Sequence, residues 1–239
     1  MSFLWHTFIF DPITNLLVFF VQIIPGASVG FAIIATTIVI RILLLPLSKK
    51  VLKSQIAQQK LQPQMDKIRE TILDKQEQSR AMLELYRAEG VNPLAGIFLL
   101  LIQIPIIISL YFVFRNGLII DDNILYSFIQ IPEHVQHFFL GIDMRERSII
   151  LAIFAGLTQA ASLQVLFHLQ EKYKVAGAPE NNLARAMRDM QKIMARILPI
   201  MVAGFAVFFP AAIPLYWCVS NLFTIAQEYF LRRGYAQKN

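Results

Sequence analysis

At 239 residues, with a mean hydropathy of +0.54 and only 16% charged residues, the chain falls well short of the charge content of a soluble domain, which is about a quarter. Several apolar runs of about 20 residues match the thickness of a bilayer and exclude an ordinary soluble fold. The single cysteine, Cys218, leaves no disulfide within the sequence, and the formal net charge of +6 matters less than where its basic residues lie.

Residues 1–26 are apolar but interrupted by Asp11-Pro12, Asn15 and Gln22, contain no Lys or Arg, and end at Pro25-Gly26. This pattern predicts an N-terminal interfacial amphipathic helix with Trp5 as its anchor, a true span being the other reading because the whole segment is long enough to cross. The amino end carries neither the basic region of an ordinary signal peptide nor the Arg/Ser-rich character of a transit peptide.

Residues 27–48 predict the first transmembrane helix. From Val29 to Leu47 they run 19 residues with one charge, Arg41, which lies eight residues before the Lys49-Lys50 pair at the membrane boundary. That is about 12 Å along a helix. An arginine at a helix centre costs about 2.5–3.5 kcal/mol to insert, and such residues face a bundle interior or a wet cavity. Thr37, Arg41 and Ser48 share one stripe of this helix. Snorkelling of the arginine stem to the headgroups is the alternative.

Residues 49–92 predict a cytoplasmic helical hairpin. Leu52, Ile56, Leu61, Met65, Ile68 and Ile72 recur at helical spacing, as do Met82, Leu83 and Tyr86. The turn falls near Leu73-Asp74-Lys75, Pro63 should bend the first arm, and Gly90 stops the second. Two arms make a thin core, which favours a mobile hairpin that contacts a partner. Further spans are predicted at residues 93–116 and 148–168, with the fourth and fifth transmembrane helices within 193–231. An extracytoplasmic loop (117–147), a cytoplasmic loop (169–192) and a short basic tail (232–239) complete the chain. Residues 49–92 hold nine Lys and Arg, 171–196 six and the tail three, whereas 117–147 hold two. This asymmetry puts the hairpin, the 169–192 loop and the C-terminus in the cytoplasm. The fold class is therefore an all-α polytopic membrane protein with a five-transmembrane-helix core bundle.

Polar side chains recur inside the spans. Gln103 lies mid-span with Gly96 on its stripe. Thr158, Gln159 and Ser162 form a patch in the third span, with Gln164 pointing elsewhere. Trp217, Ser220, Asn221, Thr224, Gln227 and Glu228 follow i, i+3, i+4, i+7 spacing in the last. One such residue reads as an interhelical hydrogen bond. Four helices that each offer a polar stripe predict convergence on a hydrated groove lined by Arg41. No HExxH, GxSxG, P-loop, paired intramembrane carboxylates or inverted repeat is present, and His134 and His137 lack a third ligand. The expectation is a non-enzyme with no cofactor and no metal.

Two long runs carry a family resemblance: LQPQMDKIRETILDKQEQSRAMLELYRAEGVNPLAGIFLLLIQIPIIISLYFVF at residues 61–114, and MQKIMARILPIMVAGFAVFFPAAIPLYWCVSNLFTIAQEYFLRRG at residues 190–234. With the first-span arginine, LWHTFIFDPITNLL near the start, and NPL, LIQIP, FFPAAIPLYW and SNLFTIAQ in order, the chain resembles the YidC family of membrane protein insertases. It departs from the larger Gram-negative members by showing no extra N-terminal span, no large periplasmic domain and no long basic tail. The resemblance implies five spans around a hydrophilic groove open to the cytoplasm and to lipid but closed outside. It carries the intramembrane arginine to Arg41, the LIQIP glutamine to Gln103, and the last-span aromatic and amide to Trp217 and Asn221; the third-span glutamine falls on Gln159 or Gln164. Implied partners are nascent membrane proteins and the lipid bilayer of a bacterial cytoplasmic membrane, with the ribosome and the Sec translocon left open and no nucleic-acid substrate. A small-solute channel or transporter, open on both faces, is the competing reading.

Overall fold

The computed structural model describes residues 3–92, 94–115, 124–173 and 182–236. Pro93, residues 116–123 of the loop between the second and third spans, residues 174–181 and the tail residues 237–239 lie outside the described residues, as does the packing around Gly96.

A short helix α1 (Phe3–Trp5) passes through a π-helical turn (His6–Phe10) into α2 (Asp11–Ile23). Pro12 sits in the first turn of α2, where its missing N–H has no intrahelical partner to lose. After Gly26, held at φ +77°, the chain enters α3 (Val29–Leu43) and then α4 (Leu45–Thr71), and these two meet at a bend of 53°. The straight part of the first apolar run thus ends at Leu43 rather than at Ser48. Pro46 accounts for this, since its ring and missing N–H do not fit a continuous helix. Ser48 lies beyond the bend, its hydroxyl on the Leu44 carbonyl at 3.1 Å. Pro63 sits inside α4 with helix on both sides of it.

The turn from α4 to α5 (Lys75–Ala88) is fixed by Asp74, whose carboxylate accepts from the Gln76 and Glu77 amides at 2.7 and 2.9 Å. The arms close on buried Leu61 and Met65, and the Tyr86 hydroxyl donates to Met65 Sδ at 3.1 Å. Next come α6 (Ala95–Arg115), a two-residue antiparallel ladder of β1 (Phe138–Phe139) and β2 (Ile142–Asp143), and then α7 (Ile149–Lys172), α8 (Asn182–Ala206) and α9 (Ala212–Ala236). Helix therefore occupies both ends of the segment read as the cytoplasmic loop 169–192.

By length and apolarity, His6–Ile23 and Ile149–Lys172 can cross a bilayer, and the bent α3–α4 pair adds a third candidate; Gln103–Arg115 is a shorter apolar helix. Large apolar side chains such as Ile150, Phe154, Ile200, Phe205 and Leu222 point outward, each more than half exposed. Such a surface is an aggregation liability in water and the expected face in lipid. The molecule is a mostly helical membrane protein.

Its core joins α2, α3, α6 and α9, with Leu17, Ile33, Leu110, Phe114 and Tyr216 all buried. Alongside it, α7 packs on both α8 and α9. At Gly156 a Cβ would lie 2.8 Å from Ala203 Cβ and 2.9 Å from the Pro199 carbonyl, so glycine sets the α7–α8 approach.

At the end opposite the hairpin, residues 124–148 are bonded to the bundle largely through main chain. Val29 N–H donates to the Gln136 carbonyl at 3.0 Å, and Gln136 N–H to that of Ala27 at 3.1 Å. Ala211 and Ala212 N–H donate to the Glu146 and Met144 carbonyls at 2.7 and 3.1 Å. First-turn amides have no acceptor in their own helix, and here the loop supplies it. Asn15, 1% exposed, adds a side-chain equivalent: Nδ2 donates to the Ile124 carbonyl at 2.8 Å and Oδ1 accepts from Tyr126 N–H at 2.7 Å. Two turns along α2, Gln22 accepts from Gln130 N–H at 3.2 Å. In the same loop, the Arg145 guanidinium bonded to Asp143 at 2.7 Å holds that carboxyl below its ordinary range. Burial pushes the His137 imidazole down, and its Nδ1 has no partner among the described residues.

Candidate functional site

Helix α3 presents Arg41 in its last turn, where the partial negative charge of a helix C-terminus favours a cation. The side chain is half-buried. Its Nε donates to Ser220 Oγ at 2.8 Å, and its Nη2 donates to the same oxygen and to Gln103 Oε1, the latter at 3.3 Å. Gln103 stands on α6, two residues before Pro105, and its Nε2 donates to the Tyr216 hydroxyl at 2.7 Å. Three helices, far apart in sequence, thus meet in one polar layer.

The last helix delivers two of these groups because Tyr216 and Ser220 are four residues apart and share a face. Both are 1% exposed. Thr224, the next residue on that face, donates to the Ser220 carbonyl at 2.9 Å. The neighbouring face points to α7, where Asn221 Nδ2 donates to Thr158 Oγ1 at 3.2 Å. Trp217 is half-buried with its ring edge-to-face on Phe209, centroids 6.4 Å apart. The polar positions of α9 therefore divide between two neighbours.

Of the residues singled out in sequence, Arg41, Gln103 and Ser220 come into direct contact. Thr37 is buried on α3 with its hydroxyl on the Ile33 carbonyl at 2.6 Å. Gln159 is half-buried and Gln164 exposed on α7, and neither hydrogen-bonds Arg41. Tyr216 was missed: reading the stripe from Trp217 onward left out the residue one turn before Ser220.

Electrostatically the layer is incomplete. Every acceptor around Arg41 is neutral, and among the described residues no carboxylate forms an ion pair with it. Nη1 hydrogen-bonds to nothing among those residues. A guanidinium in such surroundings attracts anions, and carboxylates above all, because its paired N–H groups match their geometry. The described residues contain no group of three His, Cys, Asp or Glu placed to hold a metal ion.

Residues 19–238 match the family model of the 60Kd inner membrane protein. The chain is 36% identical to membrane protein insertase MisCA of Bacillus subtilis (strain 168), covering 98% of this chain and 82% of that one. It is 34% identical to membrane protein insertase YidC 2 of Bacillus anthracis, over 96% and 81%. The chain belongs to the YidC family of membrane protein insertases. A YidC of Haemophilus influenzae (strain PittEE) is 33% identical over 98% of this chain but only 38% of its own length, so the match occupies part of a longer protein. The range matched to the family model takes in Arg41, Gln103, Tyr216 and Ser220.

Proposed function

We propose that this YidC-family chain inserts newly made membrane proteins into a bacterial cytoplasmic membrane without hydrolysing nucleotide, and that the Arg41 layer meets the incoming polypeptide. The observation that carries this is a guanidinium that, among the described residues, is held only by neutral acceptors and has one amino group uncommitted. Five spans, with the first 26 residues along the surface and the C-terminus in the cytoplasm, enclose a groove open to cytoplasm and lipid. Thr37, Gln103, Gln159 or Gln164, Trp217, Ser220, Asn221 and Thr224 line it around Arg41. The polar tail of a substrate enters the groove, and its carboxylates are attracted by Arg41 in surroundings less screening than water. This shortens the apolar path of the tail and lowers its desolvation barrier. The adjoining apolar segment then moves into lipid, and its burial, at about 25 cal/mol per Å², supplies the net drive. The α4–α5 hairpin guides the chain toward the groove, with the ribosome and the Sec translocon as candidate contacts on that side.

Insertion into proteoliposomes of single-span substrates with acidic N-terminal tails tests the role of Arg41. Arg41→Ala should slow it about ten-fold, the scale of a lost charge-assisted hydrogen bond. Arg41→Lys should retain part of the activity, because a point charge attracts but cannot offer two parallel donors. If Arg41→Ala matches wild type for every acidic-tailed substrate, the role fails. Main-chain bonding of residues 124–148 across the N-terminal ends of α3 and α9 favours a groove closed at that side over a solute pore, and liposomes carrying the protein should show no small-solute flux.

A further inference from the structure

The Arg41 layer contains one contact that electrostatic attraction alone does not require. A guanidinium has five donors and no acceptor, so Gln103 can face it only with Oε1. The amide nitrogen must then point elsewhere, and it points to the Tyr216 hydroxyl at 2.7 Å. Were the amide turned over, two donors would oppose each other across the 3.3 Å now separating Nη2 from Oε1. Tyr216 cannot drift, because its ring is 1% exposed and packed among the core side chains of α3 and α6. Ser220, one turn further along α9, takes both Nε and Nη2 of the same arginine.

We propose that Tyr216 is a positioning residue for substrate recognition: through the Gln103 amide it fixes which edge of the Arg41 guanidinium is presented to an incoming carboxylate. The Nε–Nη2 edge is taken up by Ser220 and Gln103, so a substrate carboxylate meets the Nη1 side. The hydroxyl touches neither Arg41 nor substrate in this scheme; the donor-only guanidinium selects the amide orientation, and the hydroxyl, accepting from Nε2, anchors the amide so that Oε1 stays against Nη2. The scheme rests on the carboxylate-recognising role proposed above for Arg41.

The test uses the full chain in proteoliposomes and two single-span substrates identical except that tail Asp and Glu in one are Asn and Gln in the other. Tyr216→Phe keeps the ring and removes the hydroxyl. It should raise the half-saturating concentration of the acidic-tailed substrate about five-fold relative to the neutral-tailed one, with the maximal rate preserved. Adding Tyr216→Phe to Gln103→Leu should change nothing further, since both act through the same amide. A loss shared equally by both substrates, a lowered maximal rate, additive effects in the double variant, or unfolding on removal of this one hydroxyl would each overturn the proposal. Arg41→Ala run alongside separates the two readings. If it leaves acidic-tailed insertion intact, the role of Arg41 fails; if it impairs insertion while Tyr216→Phe does not, only the positioning role fails.

Discussion

Two of the arginines that meet the last helix, Arg232 and Arg41, have surroundings that differ in kind. Arg232, near the end of α9, is 2% exposed, with Nε 2.8 Å from the Glu228 carboxylate one turn earlier and Nη2 3.5 Å from Gln55 on α4. Arg41 is half-buried, and among the described residues its hydrogen-bond partners are amide and hydroxyl oxygens alone. A charge completed by its own protein ties one helix to another and asks for nothing further. A charge left without a counterion among the described residues is costly to keep, and the proposed role of Arg41 would have the substrate supply one.

Removing the counterion from the first arginine should have the largest effect. Glu228→Ala leaves Arg232 buried and uncompensated and should lower stability by about 3 kcal/mol, read as the unfolding midpoint in detergent. Arg41→Leu should do the opposite: unfolding stability stays within about 1 kcal/mol of wild type or rises, because a desolvated charge has gone. Equal destabilisation by the two substitutions would erase the contrast. Acid probes the 124–148 loop, which the two arginines do not enter. Half-buried His137 has a lowered pKa, so its contribution is intact above the ordinary value of 6.5 and lost as pH falls from there through the lowered one. Asp143, also lowered, loses its contribution only below its ordinary 3.8. Amide exchange at Met144 should therefore accelerate modestly below pH 6.5 and again near the acid limit, and a flat profile would remove both groups from the account.

Much of the polar layer was legible because Arg41, Gln103 and Ser220 are conspicuous in apolar runs. Tyr216 was not, since a tyrosine among apolar residues looks like core, and it is core except for one oxygen. The partners of Asn15 and Gln22 were also out of reach. They were legible only as polar breaks in an apolar segment; each bonds a loop more than a hundred residues away, and no local pattern encodes a partner at that distance. The β1–β2 ladder escaped notice because two residues per strand are too few for alternation to show. The bend at Leu44 was masked because it falls inside the apolar run that hydropathy carries to Leu47, just before Ser48-Lys49-Lys50.

The way residues 124–148 are fastened has a consequence for evolution and for engineering. Backbone amides and carbonyls are common to every amino acid, so a seam built from them survives wide substitution of the letters along it. Leu140, 85% exposed beside the ladder, is accordingly a position where a fluorophore or affinity tag could be mounted without loosening the bundle beneath.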